Sequence, residues 1–241
     1  MNNEPSAPFS WGVPTPRDEA SIQAMVASAL SSAYVWMAVA LGLTGLAAYK
    51  VAATPDWWHT LIGWPIIALI VAELLLVIVL SACINKLSFG AAAILLALYS
   101  VINGVTLFPV FLLYTNESVI TTFLITGATF GAMALLGHTT KVNLSSMGGF
   151  LTMALLGLII ASVVNLFMHS STMQWIITIA GVLIFVGLTA YDAQKLRTRI
   201  EAAAEDGEID LRKISLIGSL ELYLDFINLF LHLLRLVGRR R

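Results

Sequence analysis

The sequence is short of charge and nearly free of cysteine. Of its 241 residues only 11% are charged, 13 Lys and Arg against 14 Asp and Glu, where a soluble domain carries about a quarter. Between Ala20 and Tyr191 the charges are Lys50, Asp56, Glu73, Lys86, Glu117 and Lys141 and no others. The single cysteine, Cys83, excludes an intrachain disulfide and with it a disulfide-stapled secreted fold. A net charge of −1 and a pI of about 6.4 offer no basic surface for nucleic acid. Also missing are a Walker loop, a dinucleotide-binding glycine fingerprint and a His-Glu-x-x-His zinc motif. His59, His138 and His169 have no metal-ligand spacing among them, and no cofactor is expected.

What is present is apolar. Hydrophobic residues make up 59% of the chain and the mean hydropathy is +0.88, the composition of an integral membrane protein. A helix needs about 20 mostly apolar residues to cross the hydrocarbon core. That length predicts all-α spans over 34–51, 61–82, 91–114, 118–136, 147–167, 175–191 and 214–237, with Pro109 kinking the third. Residues 1–19 are polar, hold Pro5, Pro8, Pro14 and Pro16, and lack the basic start and cleavage site of a signal peptide. The expected organisation is a polar arm over 1–30, within which 20–32 is a candidate lead-in helix, and one membrane domain over 31–241. The connection 192–213 is charged and expected to be solvated, with a turn at Asp206-Gly207-Glu208.

Basic residues near the span ends set the orientation. With the arm cytoplasmic, the inside holds Arg17, Lys86, Lys141, Lys195, Arg197, Arg199, Arg212 and Lys213, and the outside connections hold only Lys50. Trp57, Trp58, Trp64 and Trp175 then mark the outer interface. The tail Arg239-Arg240-Arg241 runs against this bias, because seven crossings put it outside and only a re-entrant seventh segment would return it. Seven crossings are the expected solution. An uncleaved amino terminus and short loops suit a multi-pass protein of a bacterial inner membrane.

The seventh segment carries the chemistry. Glu221, Asp225, Asn228, His232 and Arg235 follow one another at helical spacing, and at about 100° per residue they stay within about 40° of Glu221. This narrow polar stripe belongs in a cavity at the centre of a bundle rather than against lipid. An ionised Asp at mid-membrane costs about 2.5 to 3.5 kcal/mol on insertion scales and marks a pathway. The bland alternative is that Glu221, His232 and Arg235 pair with each other, or that Arg235 reaches out to the interface. Asp225, far from either end, resists that account. Its expected partner is Asp192, which ends the sixth apolar run, although Lys195 one turn on could neutralise it instead. Two carboxylates brought close cannot both ionise easily, so such a pair shares a proton and suits a pH sensor, a hard-cation site or an acid/base dyad. Glu73, mid-way along the second span, is a further candidate for the same cavity. Asn103, Thr126 and Asn165 read as interhelical hydrogen-bond glue, and Gly127-x-x-x-Gly131 as a close helix contact.

The chain resembles the Bax inhibitor-1 family, also called the transmembrane Bax inhibitor motif family. The likeness rests on Gly187-Leu-Thr-Ala-Tyr-Asp192-Ala-Gln-Lys195 and Leu220-Glu-Leu-Tyr-Leu-Asp225-Phe-Ile-Asn-Leu-Phe230. Lys86-Leu-Ser88, Phe130-Gly131 and Thr140-Lys-Val-Asn-Leu-Ser145 support it. The resemblance implies seven helices with the last surrounded by the other six, a pH-sensitive calcium leak, and a proton-sensing pair at Asp192 and Asp225 that calcium contacts in passing. The second span departs from any scheme in which an Arg or Lys of that helix holds the Asp pair, because it bears Glu73 and no basic residue. Asn143 stands where an acidic residue is common in the family.

The expected function is therefore a proton-gated leak of calcium or other cations. A cation/proton exchanger using the same pair, and a non-conducting modulator of membrane-protein partners docking at the inner loop, are the alternatives. An Asp in each of two successive spans also occurs in intramembrane aspartyl proteases of the presenilin type. That type requires Gly-x-Gly-Asp in the later span and Pro-Ala-Leu afterwards. Here Asp225 follows Leu222-Tyr-Leu and no proline follows Pro109, so no enzyme is expected.

Overall fold

A computed structural model describes residues 19–84, 86–206 and 210–241. Most of the arm, with Arg17, and the Gly207-Glu208 part of the expected turn lie outside the described residues. The described chain is helical: α1 (Glu19–Ala52), α2 (Pro55–Leu61), α3 (Trp64–Cys83), α4 (Phe89–Thr106), α5 (Pro109–Leu113), α6 (Asn116–Thr139), α7 (Ser145–Met168), α8 (Ser171–Asp206) and α9 (Leu211–Val237). Seven spans are long and apolar enough to cross a membrane, with α4 and α5 together forming the third. Pro109 opens α5 at its first turn, so the expected kink is a break between two helices.

Two helices outrun the bilayer. α1 has 34 residues and α8 has 36, about 50 Å each at 1.5 Å per residue against a core of about 30 Å. The excess of α8 is the segment expected to be a solvated connection. It is helical because Ala193, Leu196, Ile200, Ala203 and Ala204 recur at helical spacing, and all five are buried. Ala193, Leu196, Ile200 and Ala204 share one buried cluster with Val26 and Ala29 of α1 and Leu216 of α9, and Ser215 Oγ donates to the Ala29 carbonyl at 2.8 Å. Residues 19–30 thus belong to this helical extension rather than to a separate arm. Asp210 starts α9, its Oδ1 accepting from Arg212 N at 3.0 Å and from Arg212 Nε at 3.1 Å. Those hydrogen bonds hold its carboxyl below the usual aspartate range.

Burial ranks the spans. In α9, 67% of the apolar stretch is buried, in α3 only 6%. α9 packs on α8, α1, α6 and α4, whereas α3 lies chiefly on α4, and α7 on α8. Close approach is made by glycines other than the expected pair. A Cβ at Gly104 would meet Thr44 and Ala47 of α1, and one at Gly137 would meet the backbone of Ala190 in α8, while Gly127 and Gly131 face open space. The i, i+4 spacing of Gly127 and Gly131 falls on an outward side of α6, so it joins nothing here.

The tail resolves the charge conflict in favour of seven crossings. Arg239 N donates to Ser118 Oγ, Thr115 N to the Arg239 carbonyl, and Arg241 N to the Leu113 carbonyl. α9 therefore ends beside the start of α6, whereas its own start lies beside the end of α8. Backbone pairing holds three arginines on the face that the basic-residue bias disfavours. Trp57, Trp64 and Trp175 stand exposed at that same tail-side face.

Replacing Gly137 by Ala sets a methyl against backbone that has no room to yield, and is expected to cost about 1–3 kcal/mol. Gly131→Ala, in open space, should be neutral or slightly stabilising. Thermal unfolding in detergent measures both. Asp210→Ala should cost about 1 kcal/mol as a lost cap. A carboxyl held below its unfolded value stabilises at neutral pH and loses that effect as pH falls, so the difference from wild type should shrink below about pH 4.

Candidate functional site

The polar stripe of α9 faces a cleft of about 870 Å³ bounded by α3 and α7 and floored by α8 and α9. Glu221, Asp225, Asn228, His232 and Arg235 all line it, with Asp192 and Lys195 of α8 and Glu73 of α3. Apolar side chains of α3 and α7, among them Leu74, Ile78, Leu155 and Ile159, form its walls. α3 and α7 are not packed on each other across α9, so the cleft stays open between them.

At the floor the Asp192 and Asp225 carboxyls lie within hydrogen-bonding reach of each other. Asp225 is 5% exposed and its Oδ2 meets no donor among the described residues. Two carboxyls in contact, one with an unpartnered buried oxygen, are satisfied by a proton between them or by a cation. Lys195 Nζ stands 3.2 Å from Asp192 Oδ1 and 3.2 Å from Glu221 Oε2, and Arg199 Nη1 lies 3.1 Å from Glu221 Oε1. The neutralising role of Lys195 and the pairing of Asp192 with Asp225 thus coexist. Glu221 pairs with α8 rather than with His232 or Arg235 of its own stripe, since α8 supplies two cations at closer range. Among the described residues no group of three or more His, Cys, Asp or Glu is disposed to hold a metal ion.

Higher in the cleft, Asn228 Nδ2 donates to the Leu224 carbonyl at 2.8 Å. The His232 ring sits against Gly181 and stacks on Phe185, and its Nδ1 has no hydrogen-bond partner among the described residues. Arg235 is exposed at the tail-side mouth.

Glu73 is wired into the bundle. Its Oε1 accepts from Thr106 Oγ1 at 2.6 Å and its Oε2 from Asn103 Nδ2 at 3.3 Å. Asn103 Oδ1 accepts from the Tyr223 hydroxyl at 2.9 Å, and that hydroxyl lies 2.7 Å from Thr44 Oγ1. One chain of hydrogen bonds so ties α3, α4, α9 and α1. Asn103 is the interhelical glue expected, and Asn165 joins the α7–α8 corner through Gln174 and Ser170. Thr126 bonds only within its own helix, to the Thr122 carbonyl. Tyr223 and Arg199 were not singled out in the sequence. A tyrosine two residues before Asp225 in an apolar helix needs a hydroxyl partner, and Arg199 follows Asp192 by seven residues, back on the same helical face.

The cleft does not stand alone. Gln174 and Arg235 also line a tail-side vestibule of about 600 Å³, and Tyr191 and Lys195 also line an arm-side cavity of about 690 Å³. Three cavities therefore follow one another along α8, meeting at Gln174 and Arg235 above and at Tyr191 and Lys195 below.

Fold and site together define a seven-span helical membrane protein with a carboxyl pair at the floor of a polar cleft. The chain belongs to the Bax inhibitor family: the family profile described as "Inhibitor of apoptosis-promoting Bax1" matches residues 26–241. It is 46% identical over 230 residues to the inner membrane protein YbhL of Escherichia coli K12, covering 94% of this chain and 98% of that one. It is 47% identical over 174 residues to an uncharacterized protein of Borreliella burgdorferi, covering 72% and 75%. It is 39% identical over 210 residues to the uncharacterized protein RP147 of Rickettsia prowazekii, covering 86% and 88%.

Tyr223→Phe should leave the half-buried Asn103 Oδ1 and the buried Thr44 Oγ1 without a shared partner and cost about 1–2 kcal/mol, read as a lower thermal unfolding midpoint in detergent.

Proposed function

We propose that the chain is a passive, pH-sensitive leak for calcium or similar cations across a bacterial inner membrane, with Asp192 and Asp225 as its proton sensor. The observation that carries this reading is the carboxyl pair in contact at the cleft floor, with Asp225 Oδ2 unpartnered. A shared proton joins α8 to α9 and leaves the pair with a single negative charge. Its loss leaves two anions that repel each other and attract Ca²⁺, which favours several oxygen ligands. Glu73, Glu221 and Asn228 add oxygens along the cleft, and His232 and Arg235 set the charge of its outer half. The succession of cavities on either side supports a route with narrow points at Gln174 and Arg235 and at Tyr191 and Lys195.

The orientation we infer is amino terminus in. Lys86, Lys141, Lys195, Arg197, Arg199, Arg212 and Lys213 share the arm-side face, which the basic-residue bias assigns to the cytoplasm. That YbhL is described as an inner membrane protein supports the location. Proton-coupled exchange of cations at the same pair is the second reading, favoured by the fact that one site would bind either ion.

Calcium flux into liposomes containing the purified chain, measured from about pH 5 to about pH 8, tests the proposal. Wild type should conduct with a pH dependence that Asp192→Asn and Asp225→Asn both abolish. Uptake driven by an imposed proton gradient would select exchange. The absence of flux above empty liposomes at every pH would overturn both and leave a non-conducting modulator of membrane-protein partners.

A further inference from the structure

The arm-side cavity has a chemistry of its own. It opens between the 140–144 connection and the α8 extension, and its lining brings Lys141, Lys195, Arg197 and Arg199 together with one carboxylate, Glu201. Its wall is preformed. Gln194 grips the connection at two points, Oε1 accepting from Leu144 N and Nε2 donating to the Val142 carbonyl, both at 2.8 Å, and Arg197 Nη1 donates to the His138 carbonyl. Arg197 also pairs with Glu201, and Lys195 and Arg199 pair with Glu221 on the cleft side. Lys141 has no such carboxylate among the described residues. Four cations thus converge on a cavity whose lining holds one anion, at the level where α6 ends and α7 begins.

What lies beside that mouth is apolar. Leu135 and Leu136 of α6, Val142 of the connection, and Met147 and Phe150 of α7 are all exposed, Phe150 by 72%. A cationic pocket at the end of two membrane helices, with uncovered apolar side chains running from it, has the two-part character of a phospholipid: an anionic head above and acyl chains below. A soluble anion would use the cations alone, whereas a phospholipid uses the cations and the neighbouring apolar face together.

We propose that this cavity binds the phosphate group of an anionic phospholipid, held by Lys141, Arg197 and Arg199, with its acyl chains against the exposed face of α6 and α7. Lys195 lines this cavity and the cleft alike. A phosphate here draws Lys195 and Arg199 away from Asp192 and Glu221, so occupancy alters the charge balance at the carboxyl pair. That consequence rests on the cleft's being an ion path; the binding does not.

The test is the amount of phosphatidylglycerol that stays with the full chain through gel filtration from micelles containing equal phosphatidylglycerol and phosphatidylcholine, read by mass spectrometry. Wild type should retain phosphatidylglycerol in clear preference. Lys141→Glu, at an exposed loop position that leaves the fold alone, should lower retention about tenfold. Lys213→Glu, the same charge change on the same face but outside the cavity, should not. Retention that survives millimolar inorganic phosphate supports the lipid as source; displacement by it supports the same phosphate contacts with a soluble source. Equal retention of both lipids, or equal loss in Lys141→Glu and Lys213→Glu, would overturn the proposal. The readout involves no ion flux, so its failure is distinct from failure of the leak.

Discussion

An ionised carboxylate finds no partner in hydrocarbon, and α9 carries Glu221 and Asp225 with Asn228, His232 and Arg235 along one face. Turning that face toward lipid would cost several kcal/mol for each charge. The helix is therefore driven inward, where α8 meets it with Lys195 and Arg199 for Glu221 and with Asp192 for Asp225. The rest of the bundle follows from this requirement. α1, with Ala33, Ala40, Thr44 and Ala48 buried, packs on α9, as do α6 and α4. α3, which carries little polarity beyond Glu73, stays at the periphery with most of its length exposed.

The same requirement explains why, among the described residues, the cleft's acids do not gather in a group of three or more around one point. Its carboxylates are spread along the membrane normal and interleaved with Lys195 and Arg235, so charge is compensated locally instead of being gathered around one ion. Only at the floor do two carboxyls meet, with an oxygen left unpartnered. Under the proposed leak, one proton more or less at that point changes how α8 and α9 hold together. The arm-side cavity continues the pattern, since the cations that neutralise the cleft from below are also the lining of a pocket at the membrane edge. A residue such as Lys195 then answers to two neighbours, an acid pair inside the bilayer and whatever anion reaches the pocket at its surface.

Much of the architecture was legible because it depends on composition summed over whole segments. Apolar runs of bilayer length mark spans wherever they occur, and the 3.6-residue period puts the α9 stripe on one face whatever surrounds it. The site was legible for a related reason: a charged residue amid leucines stands out, as Asp225 does between Leu224 and Phe226. The readings that failed were those that required knowing a neighbour. Gly127 and Gly131 have the spacing of a helix contact but face outward, while Gly104 and Gly137, with no such spacing, sit against α1 and α8. Thr126 had the type of an interhelical donor and satisfied itself within its own turn. The 192–213 connection read as solvated by its charge, although its apolar residues kept helical period and were buried by α1 and α9.

By itself the sequence determined the membrane class, seven spans and the residues that no lipid-facing position would tolerate, because each of these follows from local hydrophobicity and periodicity, while the family was legible in the two Asp-bearing motifs. Tertiary structure decided which cation answers which acid, that Tyr223 joins Thr44 to Asn103 and so to Glu73, and that α8 continues past the bilayer to form a basic pocket. Those outcomes turn on distances between residues far apart in the chain. An isolated helix has no information about which side chain will face it, and only packing supplies that.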